Sequence, residues 1–350
     1  MPASLTATGV DENLVSLKFC GYSIGVVTPG RNPVIEASGL ARTFTTKHGT
    51  VEAVRGVDLA VGAGEIVGFL GPNGAGKTTT LRMLTTLLAP TAGTATVAGH
   101  DLRADPAGVR RRIGYVAQGG GTDPSVPVGE ELELQASLYG VADAGERIAK
   151  LCARLDLEGL AGRPAGSLSG GQRRRLDIAL GLVHTPPLVF LDEPTTGLDP
   201  QSRGNLWEHI RRLRGEDGTT VFLTTHYLDE ADALCDRILI IDHGEIVAEG
   251  SPDELKRRVS GDVVTLELAG TGAGAADRVR AALSEHPAVR EAVVAGDTVR
   301  LTVHNGDREL MGLVRALDAA GAELSSLHLA RPTLDDVFLT VTGRSLRDAA

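Results

Sequence analysis

The 350-residue chain reads as an α/β protein on a mainly parallel sheet, followed by a smaller α+β unit. Three observations predict this. Between residue 34 and about 250, short apolar runs of strand character alternate with stretches of helical pattern, which implies a parallel sheet with helices around it. One of those runs ends at Leu70 and feeds a glycine-rich turn that opens a helix. Beyond about 260 the order changes to β-α-β-β-α-β, the ferredoxin-like arrangement.

In chain order, residues 1–32 show no clear periodicity beyond an apolar piece at Tyr22–Val27, and are expected to be an extension that is flexible at its start. The α/β unit is expected over 33–255. Glu65–Leu70 reads as a strand, Gly71–Thr78 as the glycine turn and Thr79–Leu84 as a helix. Ile113–Ala117, Leu188–Leu191, Thr220–Thr224 and Ile238–Ile241 read as further strands. The last three are almost wholly apolar, as strands covered on both faces are. Residues 127–165 show helices and no strand, so a helical insertion is expected at about 120–165. Gln172–Val183 is helical. Ser251, Pro252 and Glu254 carry the signature of a helix start. In the second unit, 256–344, strands are expected at 263–268, 289–294, 298–303 and 323–329. Helices are expected at 275–283 and 307–320, with a short terminal helix from Thr333 and a tail at 345–350.

Composition narrows the function classes. Apolar residues make up 42%, enough for two cores, and no apolar run is long enough to cross a bilayer as a helix. The first 30 residues lack the pattern of a secretory signal. The three cysteines, Cys20, Cys152 and Cys235, fit no metal spacing and suit a reducing compartment. A net charge of −10 argues against broad nucleic-acid binding. The triplet Arg173-Arg174-Arg175 spreads around its helix and is expected to be a solvated surface with acidic partners.

Three motifs carry chemistry. Gly71-Pro72-Asn73-Gly74-Ala75-Gly76-Lys77-Thr78 has the G-x-x-x-x-G-K-[ST] form of the phosphate loop, with Thr79 next on the helix. Glycines let several N–H groups converge on one anion, the helix N-terminus adds partial positive charge, Lys77 supplies a full charge, and the Thr78 hydroxyl suits a magnesium ion. Second, the strand at 188–191 runs into Asp192-Glu193. A parallel sheet delivers both acids to the edge where the glycine loop sits. Asp192 can hold magnesium and Glu193 can polarise an attacking water. Third, Ser169-Gly170-Gly171-Gln172 opens a helix, a second anion-binding device. Two such devices in one chain suggest two copies head to tail, each nucleotide lying between one subunit's loop and the other's Ser-Gly-Gly.

The run Leu168-Ser-Gly-Gly-Gln172, lying between a phosphate loop and Leu191-Asp-Glu-Pro194, resembles the ATP-binding subunit of ABC transporters over about residues 34–250. The resemblance implies a P-loop NTPase fold of the ABC-cassette type and an ATPase with ATP and Mg2+ as cofactors. It also implies that two cassettes close on two nucleotides. It adds Phe44 as the aromatic on adenine, Gln118 as a contact to magnesium and water, Asp199 of Gly197-Leu198-Asp199 at the dimer interface, and His226 at the γ-phosphate. With Lys77 and Glu193, Gln118 and His226 make the expected catalytic set. Thr78, Gln118 and Asp192 make the expected metal set. The helical insertion is implied to dock on integral membrane permease subunits, which places the protein at the cytoplasmic face of the cell membrane.

The C-terminal pattern and the tail Arg331–Arg344 resemble the daunorubicin/doxorubicin-resistance exporter ATPases. Efflux of a drug or other small hydrophobic molecule is therefore expected. Two alternatives stand beside it, an importer ATPase and a soluble ABC-type ATPase acting on DNA or ribosomes. Against the second, 92 positions from Lys77 to Ser169 leave no room for long coiled coils, and no sustained heptads appear.

Overall fold

A computed structural model describes residues 18–19, 22–23, 33–47, 49–259, 261–269, 279, 281, 283, 286–295, 298–303, 306–319 and 324–343. Within the expected extension, β1 (Lys18–Phe19) pairs antiparallel with β2 (Tyr22–Ser23). The remainder of 1–32 and the tail 345–350 lie outside the described residues.

The larger unit runs β3 (Ile35–Thr46), β4 (Gly49–Val61), β5 (Ile66–Leu70), α1 (Lys77–Leu84), β6 (Ala92–Val97), β7 (His100–Asp101), α2 (Pro106–Arg112) and β8 (Ile113–Val116). It continues through α3 (Val128–Leu138), α4 (Ala144–Arg154), α5 (Gly170–Leu182), β9 (Leu188–Asp192), α6 (Pro200–Asp217) and β10 (Thr220–Thr225). It closes with α7 (Leu228–Leu234), β11 (Arg237–Asp242), β12 (Glu245–Gly250) and α8 (Pro252–Val259).

Six strands form the central sheet in the order β12-β11-β5-β10-β9-β8, parallel except for the β11–β12 hairpin. Every residue of β5, β9 and β10 is buried, in keeping with their largely apolar composition. Alternate side chains serve two cores. Ile66, Leu191, Leu223 and Ile240 face the side covered by α3 to α7. Phe69, Phe190, Phe222 and Leu239 face α1 and a second sheet, with Phe222 centred 5.6 Å from both Phe69 and Phe190.

That second sheet, antiparallel in the order β4-β3-β6-β7, is absent from the sequence-based expectation. Its long strands β3 and β4 bury only scattered positions and mix Thr, Gly and charged residues, so no apolar run announces them. The stretch expected as a helical insertion holds α3 and α4. Its two ends are pinned where Val128 N–H donates to Arg163 O at 3.0 Å and Gly129 N–H to Ala161 O at 2.9 Å.

The second unit holds β13 (Asp262–Leu268), β14 (Val289–Ala295), β15 (Thr298–Val303), α9 (Gly306–Ala319) and β16 (Leu324–Ala330), in the antiparallel order β14-β15-β13-β16. Val264, Leu266, Leu301, Leu313 and Leu317 form its own core with Val279 and Leu283. The helix expected at 275–283 is described only at 279, 281 and 283, which are helical. The terminal helix α10 (Leu334–Thr342) departs from the expected boundary at 256. Leu334, Val337 and Phe338 are buried in the core of the larger unit with Leu234, Cys235 and Leu255. Sequence order assigned this helix to the C-terminal unit, whereas its apolar stripe closes against α7 and α8.

Candidate active site

The order β5-β10-β9-β8 brings four strand ends side by side, and the polar residues that follow each strand gather there. After β5 the chain turns through 71–76. A side chain at Gly71 would place its Cβ 2.3 Å from Ile241 O. Gly76 has φ of 109°, and a Cβ there would meet Ala53 O at 2.6 Å. Only glycine fits both places. Gly76 caps α1 without any side-chain hydrogen bond, so the first-turn N–H groups are left for a ligand. Lys77, 4% exposed, curls back across the loop and donates through Nζ to Gly71 O at 2.7 Å and Pro72 O at 3.1 Å.

Asp192 and Glu193 emerge buried from β9. Asp192 Oδ1 accepts from Thr224 Oγ1 at 2.6 Å and from Thr78 Oγ1 at 3.3 Å. Glu193 Oε2 accepts from Gln118 Nε2 at 2.9 Å and Thr196 Oγ1 at 3.1 Å, and stands 3.2 Å from His226 Nδ1. Its Oε1 lies 3.6 Å from Lys77 Nζ. The Glu193 N–H donates to Thr224 Oγ1 at 3.0 Å. Burial opposes ionisation of Glu193, but His226, Lys77 and Thr196 outweigh it and hold the carboxyl below its usual range. Burial pushes the Lys77 ammonium down, with Glu193 and Asp192 pulling it back. The result is one lysine, two carboxylates, a glutamine and a histidine converging on a glycine loop with unclaimed N–H groups.

Six expected residues therefore meet: Lys77, Thr78, Gln118, Asp192, Glu193 and His226. Ser169–Gln172 and Asp199 form a separate edge, with Ser169, Gly170 and Asp199 exposed and Gly171 and Gln172 half-buried. Ser169 N–H donates to Gln172 Oε1 at 3.0 Å, and Gln172 N–H to Ser169 Oγ at 3.2 Å, a complete capping box on α5. Beside it Asp199 caps α6, accepting from Ser202 N–H at 2.9 Å and Ser202 Oγ at 2.7 Å. A Cβ at Gly171 would stand 3.1 Å from Ser202 Oγ, so the two helix starts share one surface. Phe44 sits half-exposed on β3 with the Arg42 guanidinium 4.7 Å over its ring.

The sequence reading missed Thr224 and Thr196. Thr224 stands in register with Asp192 across a parallel pair, a signal available only once β10 is known to lie beside β9. The arginine triplet is corrected. Arg173 donates to the carbonyls of Ala165 and Gly166 at 3.2 and 3.1 Å, and Arg175 to that of Asp156 at 3.4 Å. Arg174 is 7% exposed and donates to three carbonyls. The chief partners of these side chains are backbone carbonyls at the strand and loop ends around α5, and the acid that faces Arg174, Asp177 at 3.8 Å, is itself buried and not on the surface.

Comparison with known proteins agrees with this geometry. Residues 54–196 match the family described as ABC transporter, and residues 250–342 match the one described as ATP-binding protein DrrA1-3-like, C-terminal domain. The chain is 44% identical over 310 residues to the daunorubicin resistance ATP-binding protein DrrA3 of Streptomyces coeruleorubidus, covering 87% of this chain and 96% of that protein. It is 42% identical over 313 residues to the doxorubicin resistance ATP-binding protein DrrA of Mycobacterium tuberculosis, covering 88% and 93%. Identity is 37% over 323 residues to the Nod factor export ATP-binding protein I of Ralstonia nicotianae, covering 91% and 97%. Among solved structures, the chain is similar to a dimeric, post-hydrolysis ATP-binding cassette bound to ADP and Pi. That match has a TM-score of 0.57 at 29% identity, over 62% of this chain and 98% of that one.

Proposed function

Since this chain belongs to the ATP-binding proteins of ABC transporters and is an ATPase of that family, we propose that it powers a drug exporter from the clustered site at 71–78, 118, 192–193 and 226. The observation that carries the reading is the buried Lys77–Glu193 pair at 3.6 Å, set between a glycine loop with open N–H groups and the Asp192–Thr78 contact.

In this reading the loop amides of 71–78 and the Lys77 ammonium bind the β- and γ-phosphates. Nucleotide draws Lys77 away from Glu193, whose carboxylate then orients the attacking water and takes its proton. Gln118 and Thr196 fix the carboxylate through its Oε2, and His226 faces the same oxygen. Thr78, Asp192 and Gln118 offer a hydroxyl, a carboxylate and an amide carbonyl, hard oxygen donors that suit magnesium. When bound with the nucleotide, that ion would neutralise phosphate charge. Phe44 stacks on adenine. Ser169–Gln172 and Asp199 meet the nucleotide held by a second copy, consistent with their exposed position and with the dimeric solved cassettes.

Export, with separate membrane permease subunits as partners, is supported by the relatives named for daunorubicin and doxorubicin resistance and for Nod factor export, and by the matched C-terminal unit. No described helix is long and apolar enough to cross a membrane. The test is co-expression with a candidate multi-span permease in vesicles loaded with doxorubicin. ATP-dependent efflux that stops in K77A supports the reading. Purified full chain that fails to hydrolyse ATP, with or without the permease, overturns it.

A further inference from the structure

Arg174 lies on α5, five residues past Ser169, and touches none of the groups assigned above to nucleotide. It is nevertheless wired to two of them through the backbone. Its Nε donates to Pro194 O at 2.8 Å, Nη2 to Asp192 O at 2.9 Å and Nη1 to Ala117 O at 2.6 Å. Asp192 and Pro194 are the immediate neighbours of Glu193, and Ala117 is the immediate neighbour of Gln118. We propose that Arg174 is a positioning residue for hydrolysis: one buried guanidinium clamps the peptide leading into Glu193, the Pro194–Thr195 peptide just beyond it and the peptide leading into Gln118, and so sets the geometry of the pair. The inference rests on the proposed role of Glu193 and Gln118.

Three physical points support it. The carbonyls belong to the last residue of β9 and to residues just past β8 and β9, where the sheet ladder stops, and buried carbonyls need donors. A guanidinium offers five N–H groups in a fixed planar fork, which an ammonium cannot match in span or direction. Glu193 itself has φ of +45° and precedes Pro194. The left-handed region is costly for a residue with a side chain, and a following proline restricts it further, so the conformation persists only where the surroundings over-determine it. Arg174 supplies that constraint from both sides of the residue.

A second contact extends the clamp. Asp177, one turn further along α5, is buried with Oδ2 3.8 Å from Arg174 Nη1 and lies against the turn after β8, where a Cβ on Gly120 would stand 3.0 Å from the same oxygen. Both segments after β8 and β9 are thereby fastened to α5, the helix whose N-terminus is the exposed Ser169 box.

The test uses the full chain as wild type, R174M, R174K and E193Q. It measures kcat and KM for ATP, nucleotide affinity, thermal unfolding, and amide hydrogen exchange at 118–121 and 193–196. For R174M, kcat should fall about 100-fold, the size expected from a 1 Å misplacement of a reacting group. Nucleotide affinity should stay within about twofold, since the loop at 71–78 is untouched. Exchange should accelerate at 118–121 and 193–196 and not at 71–78. R174K should recover part of kcat.

R174M with kcat within about threefold of wild type overturns the proposal. So does loss of nucleotide affinity in step with kcat, with exchange raised throughout the chain, which marks a general packing residue. Should R174M fail to fold, folded R174K with wild-type kcat and wild-type exchange overturns it as well. If wild type and E193Q turn over alike, the parent reading has failed, and exchange at 193–196 still decides whether Arg174 holds that segment.

Discussion

Two helices of this chain, α1 and α5, begin at glycine-rich turns, yet they are finished in opposite ways. Helix α1 starts at Gly76 in the left-handed region, has no side-chain cap, and buries Lys77 against Glu193. Helix α5 starts at Ser169, closes its own first turn with a full capping box, and stands exposed beside Asp199. A helix start with unclaimed N–H groups beside a buried cation suits an anionic ligand, whereas a self-capped, exposed start is stable alone and can exchange its cap for a ligand at small cost. The contrast teaches that similar local sequence can build a site complete within one chain and a surface that completes another.

The comparison can be broken or sharpened, from the largest expected effect to the smallest. Glu193→Gln keeps the shape but removes the base. Turnover should fall by about 10²–10⁴-fold with nucleotide affinity unchanged, measured by steady-state hydrolysis and equilibrium binding. Normal turnover would remove Glu193 from its role. Lys77→Ala strips the buried cation from α1 and leaves Glu193 without it. Affinity for ATP should drop about 100-fold, or about 2.7 kcal/mol, in titration calorimetry. An unchanged affinity would show that α1 is no more a phosphate site than α5.

Ser169→Ala removes the α5 cap at a cost of about 1 kcal/mol in urea unfolding. It should leave nucleotide binding to the isolated chain intact while lowering turnover of the dimer. Loss of binding to the monomer would merge the two sites into one.

The smallest effect is on pH. The Glu193 carboxyl is held below its ordinary value, so its contribution to stability is in place above about pH 4.3 and is lost as pH falls through the lower folded value. Thermal unfolding should therefore weaken toward acid less steeply in E193Q than in wild type. Lys77 shifts stability in the same direction, over an alkaline window. Its pKa is lowered by burial, so its stability term improves as pH rises from the folded value toward about 10.4.

Legibility followed burial on both faces. Strands β5, β9, β10 and β11 carry apolar runs (Ile66–Leu70, 188–191, 221–223 and 238–241) that could be read directly, as could the glycine loop and the acids that end β9. Strands β3 and β4 could not, because one face meets solvent and their residues mix Thr, Gly and charge. At the site, Lys77, Thr78, Gln118, Asp192, Glu193 and His226 were singled out by the sequence, and the fold sets them side by side. Thr224 was not, since a threonine in an apolar strand carries no mark until its in-register neighbour is known to be Asp192. Arg174 was misread because adjacent arginines on a helix suggest a wet face, and only the packing of α5 over the ends of β8 and β9 reveals three carbonyls beneath it. Helix α10 could be read as a helix but not placed, because its apolar stripe does not say which core it closes.

The sequence by itself determined which atoms are present for the chemistry, since glycine, lysine and carboxylate cannot be exchanged without losing backbone reach or charge, and spacing along one strand or one turn is short-range. Tertiary structure alone decided strand order. That order sets which loops face each other, and so places Glu193 between Lys77, Gln118 and His226, and Arg174 behind it. Contacts between residues far apart in the chain depend on how whole layers stack, a choice no single segment encodes.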